Sequence, residues 1–244
     1  MASLSGKVAL VTGGGTGIGA AIATAFAQAG ARVAVTGRRP EPLEHVSAQI
    51  TAAGGSTLAV PADVANAGAM SSAVGAVLDR FGRLDIAVAN AGIMPPGHPV
   101  LEYTPEDWQQ ALDVNLTGVW NTARAAVPAL VTAGGGSLIV IGSGMGRVSA
   151  GGAGPYAVSK AGAAALVRVL AAELRESRIA VNELVPGPTR TPGIGDNDEF
   201  ERRWRQRGEW PKDPDQVARL ALFVAGLPPD GPTGQVFSLA GRLL

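Results

Sequence analysis

Val8-Ala9-Leu10-Val11-Thr12-Gly13-Gly14-Gly15-Thr16-Gly17-Ile18-Gly19-Ala20 reads as a short strand, a glycine turn and the start of a helix. The run Val8–Val11 is continuously apolar rather than alternating, the mark of a strand covered on both faces in a parallel sheet. The glycines let a backbone come close to a pyrophosphate. The helix start beyond them offers free N–H groups and a partial positive charge. A tight strand-to-helix turn would use the same glycines, but this turn follows the first strand of an alternating α/β chain, where phosphate binding is the expected use.

The alternation continues along the chain. Apolar runs at Arg32–Thr36, Thr57–Val60, Leu84–Ala89, Leu138–Ile141, Ile179–Val185 and Val236–Leu239 are predicted as further strands. Between them, helices are predicted over Gly19–Ala29, Pro42–Ala53, Ala67–Phe81, Pro105–Val131 with a break near its middle, Tyr156–Arg175 and Pro214–Ala225. Thr104-Pro105-Glu106-Asp107 supplies an N-cap hydroxyl, a proline at the first helical position and acids in the first turn, and Gly30 closes the first helix. Strands alternating with helices mean βαβ units. The predicted fold is therefore α/β, a Rossmann-type doubly wound parallel sheet of about seven strands with helices on both faces. Residues 1–244 read as a single domain, with no repeat and no composition shift. The segment 186–211, rich in Pro, Gly and charge, reads as a substrate loop or lid.

Composition narrows the function. The 244 residues hold no cysteine, so disulfide scaffolds and cysteine-based zinc sites are excluded. Lys+Arg and Asp+Glu both number 20, and nothing in that balance suggests nucleic acid or an anionic membrane as partner. The 34 glycines are twice the usual ~7% share, yet they lack collagen's period and accompany 46% hydrophobic residues, so disorder does not fit. No stretch is clean enough for a signal peptide or a membrane span, which makes the cytoplasm the expected location. His45 and His98 lie far apart and read as surface residues, and no metal is expected.

Two features carry chemistry. The end of the second strand, where a dinucleotide fold often places an acid for the ribose 2′-hydroxyl, holds Gly37 followed by Arg38 and Arg39. A carboxylate there would repel a 2′-phosphate and a guanidinium would bind it, so NADP is the expected cofactor, with NAD the alternative and solvated loop charges the plain reading. Tyr156 and Lys160, four apart at a helix start, share one face. A neighbouring ammonium is expected to draw the phenol down from its ordinary value near 10 toward a useful range. Ser143, at the end of the fifth strand, lies where parallel sheets bind ligands.

At this point the chain resembles the short-chain dehydrogenase/reductase family over nearly its whole length. Thr12-Gly13-x-x-x-Gly17-x-Gly19 matches the cofactor turn, Asn90-Ala91-Gly92 the motif after the fourth strand, and Asn115 the helix asparagine. Ser143, Tyr156 and Lys160 match the catalytic set, and Pro186-Gly187 with Thr191 the motif after the sixth strand. The resemblance implies a catalytic set of Ser143, Tyr156, Lys160 and Asn115. It implies cofactor contacts at Thr12, Gly13, Gly15, Thr16, Gly17, Ile18 and Gly19, at Gly37, Arg38 and Arg39, and at Asp63 and Val64. Further contacts are implied at Asn90, Ala91 and Gly92, at Tyr156 and Lys160, and at Pro186, Gly187, Thr189 and Thr191. Asp63 would sit against the adenine ring, or plainly cap the helix that follows.

By this resemblance the chain is expected to transfer hydride between a nicotinamide ring and a ketone or secondary alcohol. Tyr156 would act as acid or base, Ser143 would polarise the oxygen, and Lys160 would lower the Tyr156 pKa and bond the nicotinamide ribose. Asn115 would hold a water near Lys160. A homotetramer or homodimer is expected, formed through the alanine-rich helices Pro105–Val131 and Tyr156–Arg175. Three departures stand out: Ala89 replaces a first asparagine, Ala240-Gly241-Arg242 stands where Asp-Gly-Gly is common, and Thr189 takes a place more often apolar.

The candidate substrate pocket, Met94, Pro95, Met145, Gly152, Pro188 and the segment Ile194–Trp210, is mostly apolar and suits a hydrophobic ketone or alcohol. The Arg-rich run 201–207 would suit an anionic substrate, or form a solvated helix with Trp204 packed inward. A sensor or scaffold that binds NADP without turnover would be expected to lack Tyr156, Lys160 or Ser143. An epimerase or dehydratase of this family usually carries an additional C-terminal domain.

Overall fold

The computed structural model describes residues 3–148, 151–192 and 197–241. Seven strands, β1 (Val8–Thr12), β2 (Arg32–Gly37), β3 (Ser56–Pro61), β4 (Ile86–Ala89), β5 (Gly136–Ile141), β6 (Ile179–Val185) and β7 (Val236–Ser238), form one parallel sheet in the order β3-β2-β1-β4-β5-β6-β7. Every residue of β1, β4 and β6 is buried, which is why β4 and the Val8–Val11 part of β1 read as unbroken apolar runs, whereas β6 buries Asn182 and Glu183 among its apolar residues. The strand order reverses between β1 and β4, and a doubly wound sheet opens a binding crevice at such a point, beyond the carboxyl ends of its strands.

Helices cover both faces. On one side α1 (Gly17–Gln28), α2 (Pro40–Ala52) and α8 (Pro214–Ala225) pack Ile22, Phe26, Leu43, Ile50, Val217 and Leu222 against Val11, Val35, Val88 and Ile139. On the other, α3 (Ala67–Phe81), α5 (Gly118–Thr132) and α6 (Gly154–Glu173) pack Val77, Phe81, Ala126, Leu130, Ala163 and Val167 against Leu10, Ala87, Leu138 and Val181.

Helix ends follow the expected chemistry. Thr104 accepts a hydrogen bond from the Asp107 N–H at 3.1 Å as N-cap of α4 (Pro105–Leu112), and Gly30 takes a left-handed φ of 94° after α1. The cap of α3, however, is Asn66, whose Oδ1 accepts from the Ala69 N–H at 2.9 Å. Asp63 instead accepts from the Ala65 N–H in a local turn. Asn66→Ala should lower stability by about 1 kcal/mol. A thermal melt shows this as a Tm lower by ~2–4 °C, whereas Asp63→Ala should leave Tm nearly unchanged.

The break expected near the middle of the helix predicted over 105–131 is a π-helical turn at Asp113–Thr117, which separates α4 from α5. One expectation needs correction. The segment 186–211 is not all loop. It contains α7 (Asn197–Arg205), whose polar sequence carries too few apolar residues to show a helical stripe. Residues 194–196 of the predicted pocket segment and Arg242 of the C-terminal ending lie outside the described residues.

Candidate active site

The glycine turn forms where β1 meets α1. Gly13 and Gly17 take φ values of 63° and 52°, in the left-handed region that glycine adopts without strain. Gly19 has no room for a side chain, because a Cβ there would lie 2.2 Å from the Gly13 carbonyl oxygen. The Thr12 hydroxyl accepts the N–H groups of Asn90 (3.0 Å) and Ala91 (3.1 Å), and Asn90 Nδ2 donates to the carbonyls of Thr12 (2.8 Å) and Gly13 (3.2 Å). Asn90 and Thr12 thereby stitch the two strands on either side of the reversal. Thr16 begins α1 in an extended conformation without a side-chain cap, so its hydroxyl leaves the first amides of the helix to a ligand.

A cleft opens above this turn. It is lined by Gly13, Gly15, Thr16, Gly37, Arg38, Arg39, Asp63, Val64, Ala91 and Gly92, which brings ten of the expected cofactor-binding residues together. Ile18 instead packs on the core beneath. Thr191 reaches the turn from the far side, its methyl standing 3.1 Å from where a Gly17 Cβ would be. Pro186 and Gly187 follow β6, and the Thr189 hydroxyl donates to the Gly187 carbonyl at 3.2 Å. Arg38 and Arg39 are exposed, and neither is paired with a carboxylate among the described residues. A Cβ at Gly37 would meet only Leu43 Cδ2, at 3.6 Å, so packing does not require glycine at that position. Backbone amides at a helix start, glycines that admit close approach and two unpaired cations make this cleft fit a dinucleotide.

Beside the cleft, β5 leads into Ser143, and α6 presents Tyr156 and Lys160 on one face. Ser143 is extended, and its Oγ accepts the Met145 N–H at 3.2 Å in a short turn, 144–146. Burial pushes the Tyr156 phenol up from its ordinary value, while a hydrogen bond with Ser143 pulls it the other way. The downward pull expected from Lys160 is not among the influences on Tyr156, and burial, which spacing along the chain does not reveal, outweighs the pull of Ser143.

Lys160 is buried. Its Nζ donates to the Ile141 carbonyl at 2.8 Å and stands 5.9 Å from the centre of the Tyr156 ring. Burial pushes its pKa down to about 8, against an upward influence of Glu183.

Asn115 sits in the π-helical turn, a distortion frequent at functional sites. Its Oδ1 accepts from the Ile93 N–H at 2.8 Å, and its Nδ2 donates to the Ile93 carbonyl at 2.8 Å and to Ser159 Oγ at 3.1 Å. The side-chain amide thus clasps the loop after β4 to α6. Gly92 lies between this clasp and the lysine: a Cβ there would be 3.2 Å from Asn115 Oδ1 and 3.6 Å from Lys160 Nζ.

Met94, Val100, Leu101, Val148 and Trp210 are exposed apolar side chains. The arginine run is partly tied up. Glu201 receives Arg190 and Arg205, Arg190 also reaches Asp213, and Arg207 lies over the ring of a half-buried Trp204. Gly241 donates its N–H to Glu209 at 2.8 Å, which anchors the C-terminal segment to the loop after α7. His45 and His98 are both exposed, and no group of three potential metal ligands occurs among the described residues. No described helix is long and apolar enough to cross a membrane.

Comparison with known proteins gives consistent results. The family model for short chain dehydrogenases matches residues 7–202. A 2,5-dichloro-2,5-cyclohexadiene-1,4-diol dehydrogenase of Sphingobium indicum is 37% identical over 226 residues, covering 91% of this chain and 90% of that protein. The crystal structure of a short-chain type dehydrogenase/reductase from Mycobacterium marinum superposes with a TM-score of 0.91 at 34% identity, over 98% of this chain and 96% of that one. A 3-ketoacyl-(acyl-carrier-protein) reductase from Brucella melitensis, crystallised with NADH, gives a TM-score of 0.90 at 29% identity over 98% of each chain.

Proposed function

This chain belongs to the short-chain dehydrogenase/reductase family of oxidoreductases, and from that premise we propose that it interconverts an apolar ketone and its secondary alcohol with NADP(H) as preferred cofactor. The observation that carries the reading is the meeting of the Ser143 hydroxyl and the Tyr156 phenol, with the buried Lys160 ammonium behind them, beside a glycine-lined cleft. Thr12, Gly13, Thr16, Arg38, Asp63 and Gly92 would hold the dinucleotide. The nicotinamide ring, when bound, supplies or takes up the hydride.

The remaining chemistry falls to the side chains. In reduction the carbonyl carbon gains the hydride and its oxygen gains a proton, leaving a neutral alcohol. Tyr156 Oη gives that proton, and a phenol that burial keeps protonated is in the form this step needs. Ser143 Oγ donates a hydrogen bond to the same oxygen, where negative charge develops. Lys160 carries positive charge to the rear of the phenol and favours its phenolate once the proton has left. The Asn115 clasp keeps the Ile93 loop and α6 in register while this happens. A sensor or scaffold role has no need of this convergence.

Exposed apolar side chains support an apolar substrate class. Met94, Val100, Leu101, Val148 and Trp210 offer surface that an apolar substrate would cover. Across ketones of increasing ring size, kcat/KM should rise about fourfold for each buried methylene, the ratio that ~0.8 kcal/mol implies. A preference for small polar ketones would contradict this.

A second subunit is also proposed. The inner faces of α5 and α6 are spent on the sheet through Ala123, Ala126, Ala163, Val167 and Ala171, yet Trp120, Val158 and Val169 remain exposed on the outer faces. Sedimentation at micromolar concentration should show a dimer or tetramer of the 24.6 kDa chain. Trp120→Glu with Val169→Glu should release monomer, and a monomeric wild type would refute the interface.

A further inference from the structure

The site has a second charged layer beneath it that the reaction does not touch. Glu183, on β6, is 1% exposed. Its carboxylate receives both ends of the Arg147 guanidinium, one at 3.0 Å, from the residue that follows the 144–146 turn. The carboxylate fills the space above Gly142, since a Cβ there would lie 1.9 Å from Oε1, so the residue before Ser143 must be glycine for Glu183 to fit. On its other side the same turn rests on α6. A Cβ at Gly146 would lie 2.9 Å from the Lys160 carbonyl carbon and from the Ala161 nitrogen.

We propose that Glu183 and Arg147 are positioning residues of this site. Their buried pair braces the turn that carries Ser143 against the helix that carries Tyr156, and Glu183 is the counter-charge that keeps Lys160 cationic. The proposal rests on the reading of Ser143, Tyr156 and Lys160 as the reacting set. The Glu183 carboxylate lies over Gly142, next in sequence to Ile141, whose carbonyl accepts from Lys160 Nζ, and a carboxylate buried near two cations is favourable only with both present, so the pair and the lysine form one electrostatic unit. Around Lys160 the ionisable groups are Tyr156 from its own helix, Glu183 from β6 and, through Glu183, Arg147 from the 144–146 turn. The π-helical turn contributes only the uncharged Asn115.

The chain has three lysines, Lys7, Lys160 and Lys212, so lysine labelled with 13C at Cε gives three resolvable NMR signals whose titration needs neither substrate nor cofactor. The Lys160 signal, identified by its loss in Lys160→Met, should titrate near the value of about 8 that burial sets. Glu183→Gln removes the attraction and leaves the Arg147 repulsion, so the midpoint should fall by about one unit, the lower end of what one adjacent charge imposes. Arg147→Met leaves the carboxylate to Lys160 alone and should raise it. The double variant Arg147→Met with Glu183→Gln should fall between Glu183→Gln and the wild type.

That order, with Lys7 and Lys212 unmoved, is the expected result. Any other order, or coincident midpoints, overturns the proposal. If Arg147→Met fails to fold, the order of the remaining three decides. A failure of the catalytic reading would show separately, as undiminished turnover in Tyr156→Phe, with the NMR order intact.

Discussion

Replacing Tyr156 by Phe should lower kcat by ~10²–10⁴-fold while leaving dinucleotide affinity nearly unchanged. The ring contributes packing in its half-buried place between Ser143 and Lys160, and phenylalanine keeps that packing, so the loss is confined to the proton at Oη. Because the cofactor cleft is built from the glycine turn and the ends of β2, β3 and β4, the variant should bind NADPH with a Kd within about twofold of the wild type. Lys160→Ala should damage both quantities, since Lys160 stands at Gly92 on the cleft wall as well as behind the phenol. Single-turnover measurements separate the two effects. A Phe variant with near-normal kcat would remove Tyr156 from the chemistry.

The second large effect concerns the cofactor. Arg38 follows a glycine at the end of β2, is exposed and lines the cleft with Asp63. A charge-assisted bond to a 2′-phosphate contributes about 1.5–3 kcal/mol. At ~1.4 kcal/mol per factor of ten, one such bond gives NADPH a preference over NADH of roughly 10- to 100-fold in kcat/KM. Solvent screening at an exposed site pulls this toward the lower figure. Arg38→Ala should erase most of the preference by weakening NADPH use, with NADH use little changed. Gly37→Asp is the converse test. The room at Gly37 admits a side chain, and a carboxylate there should repel the 2′-phosphate and hold the ribose diol of NADH, turning the preference toward NADH. Equal kcat/KM values for the two cofactors in the wild type would show that Arg38 and Arg39 are solvated loop charges.

How far the sequence could be read depended on the kind of signal each feature leaves. β1, β2 and β5 are buried along nearly their whole length and therefore announce themselves as apolar runs, and the glycine turn after β1 marks the crevice before any packing is known. The candidate residues that line the cleft were found from sequence because their motifs are local. Features that depend on the third dimension were not. The π-helical turn at Asp113–Thr117 adds one residue to a helical repeat and has no compositional mark, so only a break could be expected there. Helix α7 was legible only as one of two readings of the arginine run, because its residues are almost all charged or polar. The direction in which the Tyr156 phenol shifts depends on burial, which the Tyr156–Lys160 spacing says nothing about. Arg147 and Glu183 are 36 positions apart, on a turn and a strand, and only the neighbouring registers of β5 and β6 bring them together.

The most direct test of the central claim follows the hydrogen itself. The protein is incubated with NADPH dideuterated at C4 of the nicotinamide and with an apolar cyclic ketone, and the alcohol product is analysed by mass spectrometry. The account predicts one deuterium on the carbinol carbon for each NADPH consumed, with the hydroxyl proton coming from solvent by way of Tyr156. Alcohol formed without deuterium, or NADPH bound tightly with no alcohol formed from any ketone in an apolar series, would contradict it.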